Sequence, residues 1–204
     1  MKCSLVVFEL LILAAPAVTL AAKPQVSKSH EVLRLYEKIV SVHQKLEQLQ
    51  SRSQQLQKDV DMFLGSESEV QRLIGLGMLL GALRAWVPEI KDSVAEEDFL
   101  ITQLVKASTG PTGEAARHAD EGVRLLREQQ VYRQQSTTRA EALIDGMTET
   151  LRSVREESLA NLPALLEQQQ FDAQLKAIDD LDQKQELTFA RAKDAFSRLK
   201  AASK

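Results

Sequence analysis

From Ser29 to Leu64 apolar residues return every three or four positions: Val32, Leu35, Ile39, Val42, Leu46, Leu49, Leu56, Val60 and Phe63, with Ser53 the one polar step in the row. That rhythm is a heptad seam, and it predicts a helix over 29–64 that packs along its whole length. Leu33, Tyr36 and Val40 broaden its N-terminal part to the width a bundle stripe needs. The positions flanking the seam are rich in Gln and lack the regular opposite charges of a parallel two-stranded zipper.

The rest of the chain reads as further helices. Ser66 with Glu69 fits a capping box, which predicts a helix over 67–87 that ends at Pro88. Ser93 with Glu96 fits a second one and predicts a restart over 93–107. The turn sequence "STGPTG" follows, and then a row at Val123, Leu126, Ala140, Ile144, Met147, Leu151 and Val154 predicts a helix over 113–160. Pro163 suits the first turn of a last helix over 163–201, whose row runs through Phe171, Leu175, Ile178, Asp182, Gln185, Phe189, Ala192, Phe196 and Leu199. No segment alternates like a strand. The expected fold is all-α: an elongated antiparallel four-arm helical bundle or coiled coil, its second arm broken near Pro88, with arms of roughly 50–70 Å.

Two stretches depart from this pattern. In "EQQVYRQQSTTR", Glu128–Arg139, the continued seam places Gln130, Arg133 and Thr137 inward. Antiparallel pairing about Leu162 sets that segment beside residues near 185–196, including Phe189 and Ala192. A polar layer of this kind fixes register; the alternative is a weak midsection that opens or takes a ligand. The second stretch, "LIGLGMLLGALRAWVPEI" from Leu73 to Ile90, is apolar on every side of its helix, more than one bundle stripe requires. Its continuous apolar part is shorter than the ~20 residues of a membrane span, and Pro88 follows it. Some of its surface needs a cover: a folded-back segment 93–107, a second copy of the chain, or an external ligand. Leu76, Met78, Leu79, Leu83 and Trp86 are therefore the candidate residues for binding a partner or a lipid.

The N-terminus changes the setting. "MKCS" leads into "LVVFELLILAA", then Pro16 and the small residues Ala21 and Ala22, which is a signal-peptide layout with Glu9 as its one blemish. The expected organisation is a signal peptide over 1–22 and a single helical-bundle domain over 23–204, secreted and extracellular, or periplasmic in a bacterium. Cys3 is the only cysteine of the 204 residues and falls in the leader, so the domain is expected to hold by packing without disulfides. Acidic and basic residues interleave at a net charge of −3, with no electrostatic footprint for nucleic acid. Asn161 is the sole asparagine and is followed by Leu162 and Pro163, so no N-glycosylation acceptor exists.

Candidate chemistry is sparse. His30, His43 and His118 have no histidine three or four residues away, so no helix face offers a paired metal site, and His43, flanking the seam, reads as a half-solvated ring. There is no Gly-x-Ser-x-Gly elbow or phosphate-cradling loop. Glu96, Glu97 and Asp98 sit at an expected helix start, where acid suits the macrodipole. Asp179, Asp180 and Asp182 read as a solvated face. No catalytic, cofactor or metal residues are assigned.

In general plan, a secreted, cysteine-free chain of amphipathic helices resembles the exchangeable apolipoproteins of insects, which implies a carrier of lipid or a small hydrophobic ligand. The narrow seams differ from the broad apolar faces of a reversible lipid binder. The primary expectation is therefore a secreted, non-enzymatic coiled-coil interaction protein with a macromolecular, most simply protein, partner. The carrier is the alternative, and self-association is compatible with both.

Overall fold

The computed structural model describes residues 28–156 and 158–203, leaving aside the side chains at 50, 53–59, 61, 64, 156, 168, 169 and 172. The expected signal peptide and the seam positions Ser53 and Leu56 lie outside what is described. The elements are α1 (Lys28–Leu64), α2 (Glu69–Ser108), α3 (Gly113–Glu156), a 3-10 turn (Leu159–Asn161), α4 (Leu162–Gln169) and α5 (Phe171–Ala202). Among the described residues there is no strand, and the fold is an all-α helical bundle.

The helices pack in chain order, α1 on α2, α2 on α3 and α3 on α5. Side-chain pairs give their direction. Arg84 meets Thr148 and Lys91 meets Glu141, so seven residues up α2 is seven residues down α3. Arg133 meets Gln185 and Ser136 meets Asp182, which makes α3 and α5 antiparallel too. Between α1 and α5 the gap is filled by rings: Tyr36 stacks on Phe196 at 4.1 Å between centroids, and His43 on Phe189 at 3.5 Å.

Three boundaries differ from expectation. The second arm is not broken at Pro88: α2 runs unbroken through it for 40 residues. Proline removes one intrahelical bond, the N–H that would reach the Arg84 carbonyl, and costs about 3 kcal/mol in a helix interior. Here Pro88 and Arg84 lie on the exposed face of α2, while Leu83 and Val87 before the proline and Leu100, Ile101 and Leu104 beyond it are buried and hold both halves of the helix to the bundle. Ser93 and Glu96 consequently lie mid-helix and cap nothing. At the start of α2 the N-cap is Ser68, and Ser66 instead accepts the Ser68 N–H at 3.1 Å, forming a tight turn before the helix. The last arm is also two helices, because Gln170 takes a left-handed conformation (φ 50°, ψ 40°) that ends α4 and opens α5.

The interior is divided. One apolar cluster gathers Tyr36, Ile39, Leu104, Leu126, Phe189 and Phe196 among others; the second gathers Val60, Leu76, Leu80, Leu143, Met147 and Phe171. Gly122 belongs to the first: a Cβ there would lie 2.6 Å from the Phe196 ring, which is 1% exposed. The ring needs the space a side chain would take, which accounts for a glycine inside α3.

Candidate functional site

Between the two clusters lies a polar layer to which every long helix contributes: His43 from α1, Glu97 from α2, Gln129 and Arg133 from α3 and Gln185 from α5. All are buried. The guanidinium of Arg133 is the hub. Its Nε donates to Gln185 Oε1 at 2.9 Å, Nη1 donates to Glu97 Oε2, and Nη2 donates to His43 Nδ1 at 3.0 Å. Gln129 also donates to His43 Nδ1, at 3.3 Å. Two donors converging on Nδ1 make it an acceptor, so the ring proton sits on Nε2, which faces Glu47 at 3.3 Å.

Burial, then the Arg133 charge, push the His43 pKa down to about 3, so the ring is neutral at ordinary pH. Burial pushes Glu97 up, against the pull of Arg133 and Gln129. Glu97 Oε1 and Gln129 Oε1 make no hydrogen bond to the protein. The layer is buried and nearly satisfied, an arrangement that suits holding register.

Directly beside this layer is a cavity of about 110 Å³. Its apolar wall is Leu46 of α1, Leu79, Leu83, Trp86, Val87 and Ile90 of α2, Ala140 of α3, and Leu175 and Ile178 of α5. Its polar end is Arg133, Ser136 and Thr137 of α3 with Asp179, Asp182 and Gln185 of α5. Ser136 Oγ donates to Asp182 Oδ1 at 2.9 Å and Gln185 Nε2 donates to the same oxygen at 2.8 Å. Thr137 donates to its own helix, at the Arg133 carbonyl. Among the described residues no group of three His, Cys, Asp or Glu side chains is placed to hold a metal ion.

The five candidate residues of α2 do not form one surface. Leu76 is fully buried in the second cluster. Leu79 and Leu83 are buried there and also line the cavity, beside half-buried Trp86. Met78 stands apart on the outer face with Val70 and Ile74, a row four residues apart that is 39–54% exposed. The cover over the inner face comes from α1, α3, α4 and α5, not from residues 93–107, which continue the same helix. With Pro88 no longer a terminus, α2 is long and apolar enough to cross a membrane by length and composition, and 33% of its most apolar 18-residue window is buried.

Other expectations shift by small angles. On α3 the inward residues are Gln129, Arg133 and Ser136, with Gln130 and Thr137 half-buried at the edge. His43 is 3% exposed, not half-solvated. It lies seven residues after Tyr36 on the widened stripe, a spacing that marks it as inward. Glu97 is 1% exposed, neither solvated nor at a helix start. The row Ile90, Glu97, Ile101, Leu104 places it inward once α2 is continuous; an assumed break at Pro88 hides that phase. Asp180 is solvated as expected, but Asp179 and Asp182 turn to the cavity.

Comparison of the chain with protein-family models, with curated proteins and with solved structures finds no match in any of the three.

Proposed function

We propose that this chain is a secreted, non-enzymatic carrier of a small hydrophobic ligand, held in the cavity between α1, α2, α3 and α5. The observation that carries this reading is the cavity itself: nine apolar side chains from four helices and a convergent polar end. Ligand sites are concave, mostly apolar and equipped with a few placed polar groups. At about 110 Å³ it is smaller than the apolar cavity of about 150 Å³ that accommodates benzene, so it limits the enclosed part of a cargo to at most one small ring or a short chain. Two phospholipid acyl chains are far larger, so the proposed cargo is a small molecule. The signal-like N-terminus supports an extracellular setting.

Trp86, the only tryptophan, lines the cavity and reports on it. Titration of the purified protein with ethylbenzene is expected to change Trp86 emission saturably and raise the melting temperature. The cavity-filling substitution Ala140→Phe should abolish both effects. No saturable change with the wild-type protein, or an equal change with Ala140→Phe, overturns the carrier reading.

A second reading, an interaction protein with a protein partner, is favoured by the exposed row Val70, Ile74 and Met78, and by Met62 at 70% exposure near the same end. Such a row is the shape of contact an apolar helix of a partner makes. A partner from the protein's native extracellular fluid, bound by wild type and by Ala140→Phe but lost from Ile74→Asp/Met78→Asp, is the expected result. Equal capture by all three removes this reading.

A further inference from the structure

Between Arg72 and Glu89 the helix α2 carries a single charged side chain, Arg84, and that one is turned to Thr148 of α3. Leu76, Leu79, Leu80, Leu83 and Val87 are buried, while Val70, Ile74, Gly77, Met78, Gly81 and Ala85 are exposed on the opposite side. Packing inside the chain does not account for the two glycines. At Gly122 a Cβ would strike the Phe196 ring, whereas at Gly77 or Gly81 it would meet nothing within 4 Å. A glycine inside a helix weakens it relative to alanine. Two of them on one exposed apolar face leave room for the close approach of a second backbone.

The exposed residues form two rows side by side. Residues three and four apart are neighbours on a helix, so Val70, Ile74 and Met78 make a ridge, and Gly77, Gly81 and Ala85 make a groove beside it. Fitting such i, i+4 ridges into the matching grooves of another helix is the commonest mode of helix packing, at a crossing of about −50°. Here one face holds both halves of the contact. A two-fold axis passing between Gly77 and Gly81 lays the ridge of each copy in the groove of the other, and an isologous dimer needs the same self-complementary patch on both subunits. At that crossing angle the ends of the strip, where Glu67 and Asp92 stand, diverge into solvent.

We infer that the outer face of α2 is a self-association surface, occupied by a second copy of this chain packed two-fold across Gly77 and Gly81. This rests on the interaction reading and names its partner. From Val70 to Ala85 the face runs about 23 Å along the helix axis. With Met62, 70% exposed near the same end, two copies bury on the order of 1,000 Å², the lower bound for a specific contact. The dimer is therefore reversible and forms with rising concentration.

Sedimentation equilibrium of the purified protein is expected to show a mass that rises from one chain to two. Gly77→Gln/Gly81→Gln places good helix formers in space that is open in the single chain, so it should raise the melting temperature of the monomer. The same side chains fill the groove and should weaken the dimer at least about tenfold, as overpacking of a close contact predicts. Ile74→Asp/Met78→Asp removes the ridge and should weaken it likewise, with helicity retained by circular dichroism. A wild type that stays monomeric to about 1 mM, where even a millimolar affinity is visible, overturns the inference. So does a dimer of unchanged affinity in the Gln variant, or a melting temperature lowered by it, which would assign the glycines to packing within the chain. A monomeric wild type that captures another protein from its native extracellular fluid, and loses it in Ile74→Asp/Met78→Asp, overturns the inference and leaves the interaction reading standing. A monomeric wild type whose capture is the same as that of this variant overturns both.

Discussion

On one side of Arg133 the interior is aromatic: Tyr36 and Phe196 stack, Phe189 lies on His43, and the Phe196 ring presses on the bare backbone of Gly122. On the other side it is built from the leucines of α2 with Met147, Leu143 and Phe171. Three exposed apolar residues stand on the outside of α2 there, and α5 begins at a left-handed Gln170. Planar rings in fixed stacks specify one arrangement, whereas flexible aliphatic side chains adapt to several. The difference teaches where binding is accommodated: the cavity opens at the aliphatic side of the polar layer and not within the ring stack.

The largest way to break this comparison is to remove the hub between the halves. Arg133→Leu leaves Glu97 buried without its cation and is expected to cost ~3–5 kcal/mol, read by urea unfolding. Glu97→Leu/Arg133→Leu should recover much of that loss, because no unpaired charge remains in the layer. If the single variant is as stable as wild type, the layer is wet and the two clusters are not separated as described.

A pH titration sharpens the same boundary. His43 titrates near 6.5 when unfolded and near 3 when folded, so between these values the unfolded chain takes a proton the folded one refuses. Stability is intact above pH 6.5 and falls as pH drops toward 3, by up to ~1.4 kcal/mol per pH unit. Glu97 works in the opposite sense: with its pKa raised, its contribution is full below 4.5 and is lost as pH rises through the folded value. His43→Gln keeps an acceptor for Arg133 and should flatten the fall between pH 6.5 and 5; an unchanged slope would show that the ring is solvated.

Two smaller changes address the halves separately. Gly122→Ala forces the Phe196 ring to move and should destabilise by ~1–3 kcal/mol, with a smaller effect in a Phe196→Leu background, as overpacking predicts. In the other half, Gln170→Gly relieves a left-handed residue and should raise stability by ~0.5–1 kcal/mol, visible as a higher melting temperature. A loss at Gln170→Gly would mean that its side chain holds the α4–α5 junction.

The seams were legible because period and burial have one cause: Val32, Leu35, Ile39, Val42, Leu46 and Leu49 all reach the interior as their spacing predicts. The polar interruption around Arg133 and its pairing with the region of Gln185 and Phe189 were legible for the same reason. Local rules failed where packing overrides them. Pro88 reads as a stop, yet buried apolar residues on both sides of it, Leu83 and Val87 before and Leu100 and Ile101 after, carry α2 through. Gln170 carries no glycine signal for its left-handed backbone. The cavity was legible only as an excess: Leu79, Leu83 and Trp86 stood out as more apolar surface than one stripe needs, but which residues faced them depended on the phase of four helices at once.

The four-way contact at Arg133 also bears on how the molecule comes apart. A long bundle with two separate apolar clusters has the makings of two units that open independently, each with its own free energy. A hub that takes side chains from every long helix ties those openings together, since neither end can loosen without uncovering a charge on behalf of the other. Hydrogen exchange would display this as a single class of slow amides spanning both clusters, dividing into two classes once Glu97 and Arg133 are both replaced by leucine.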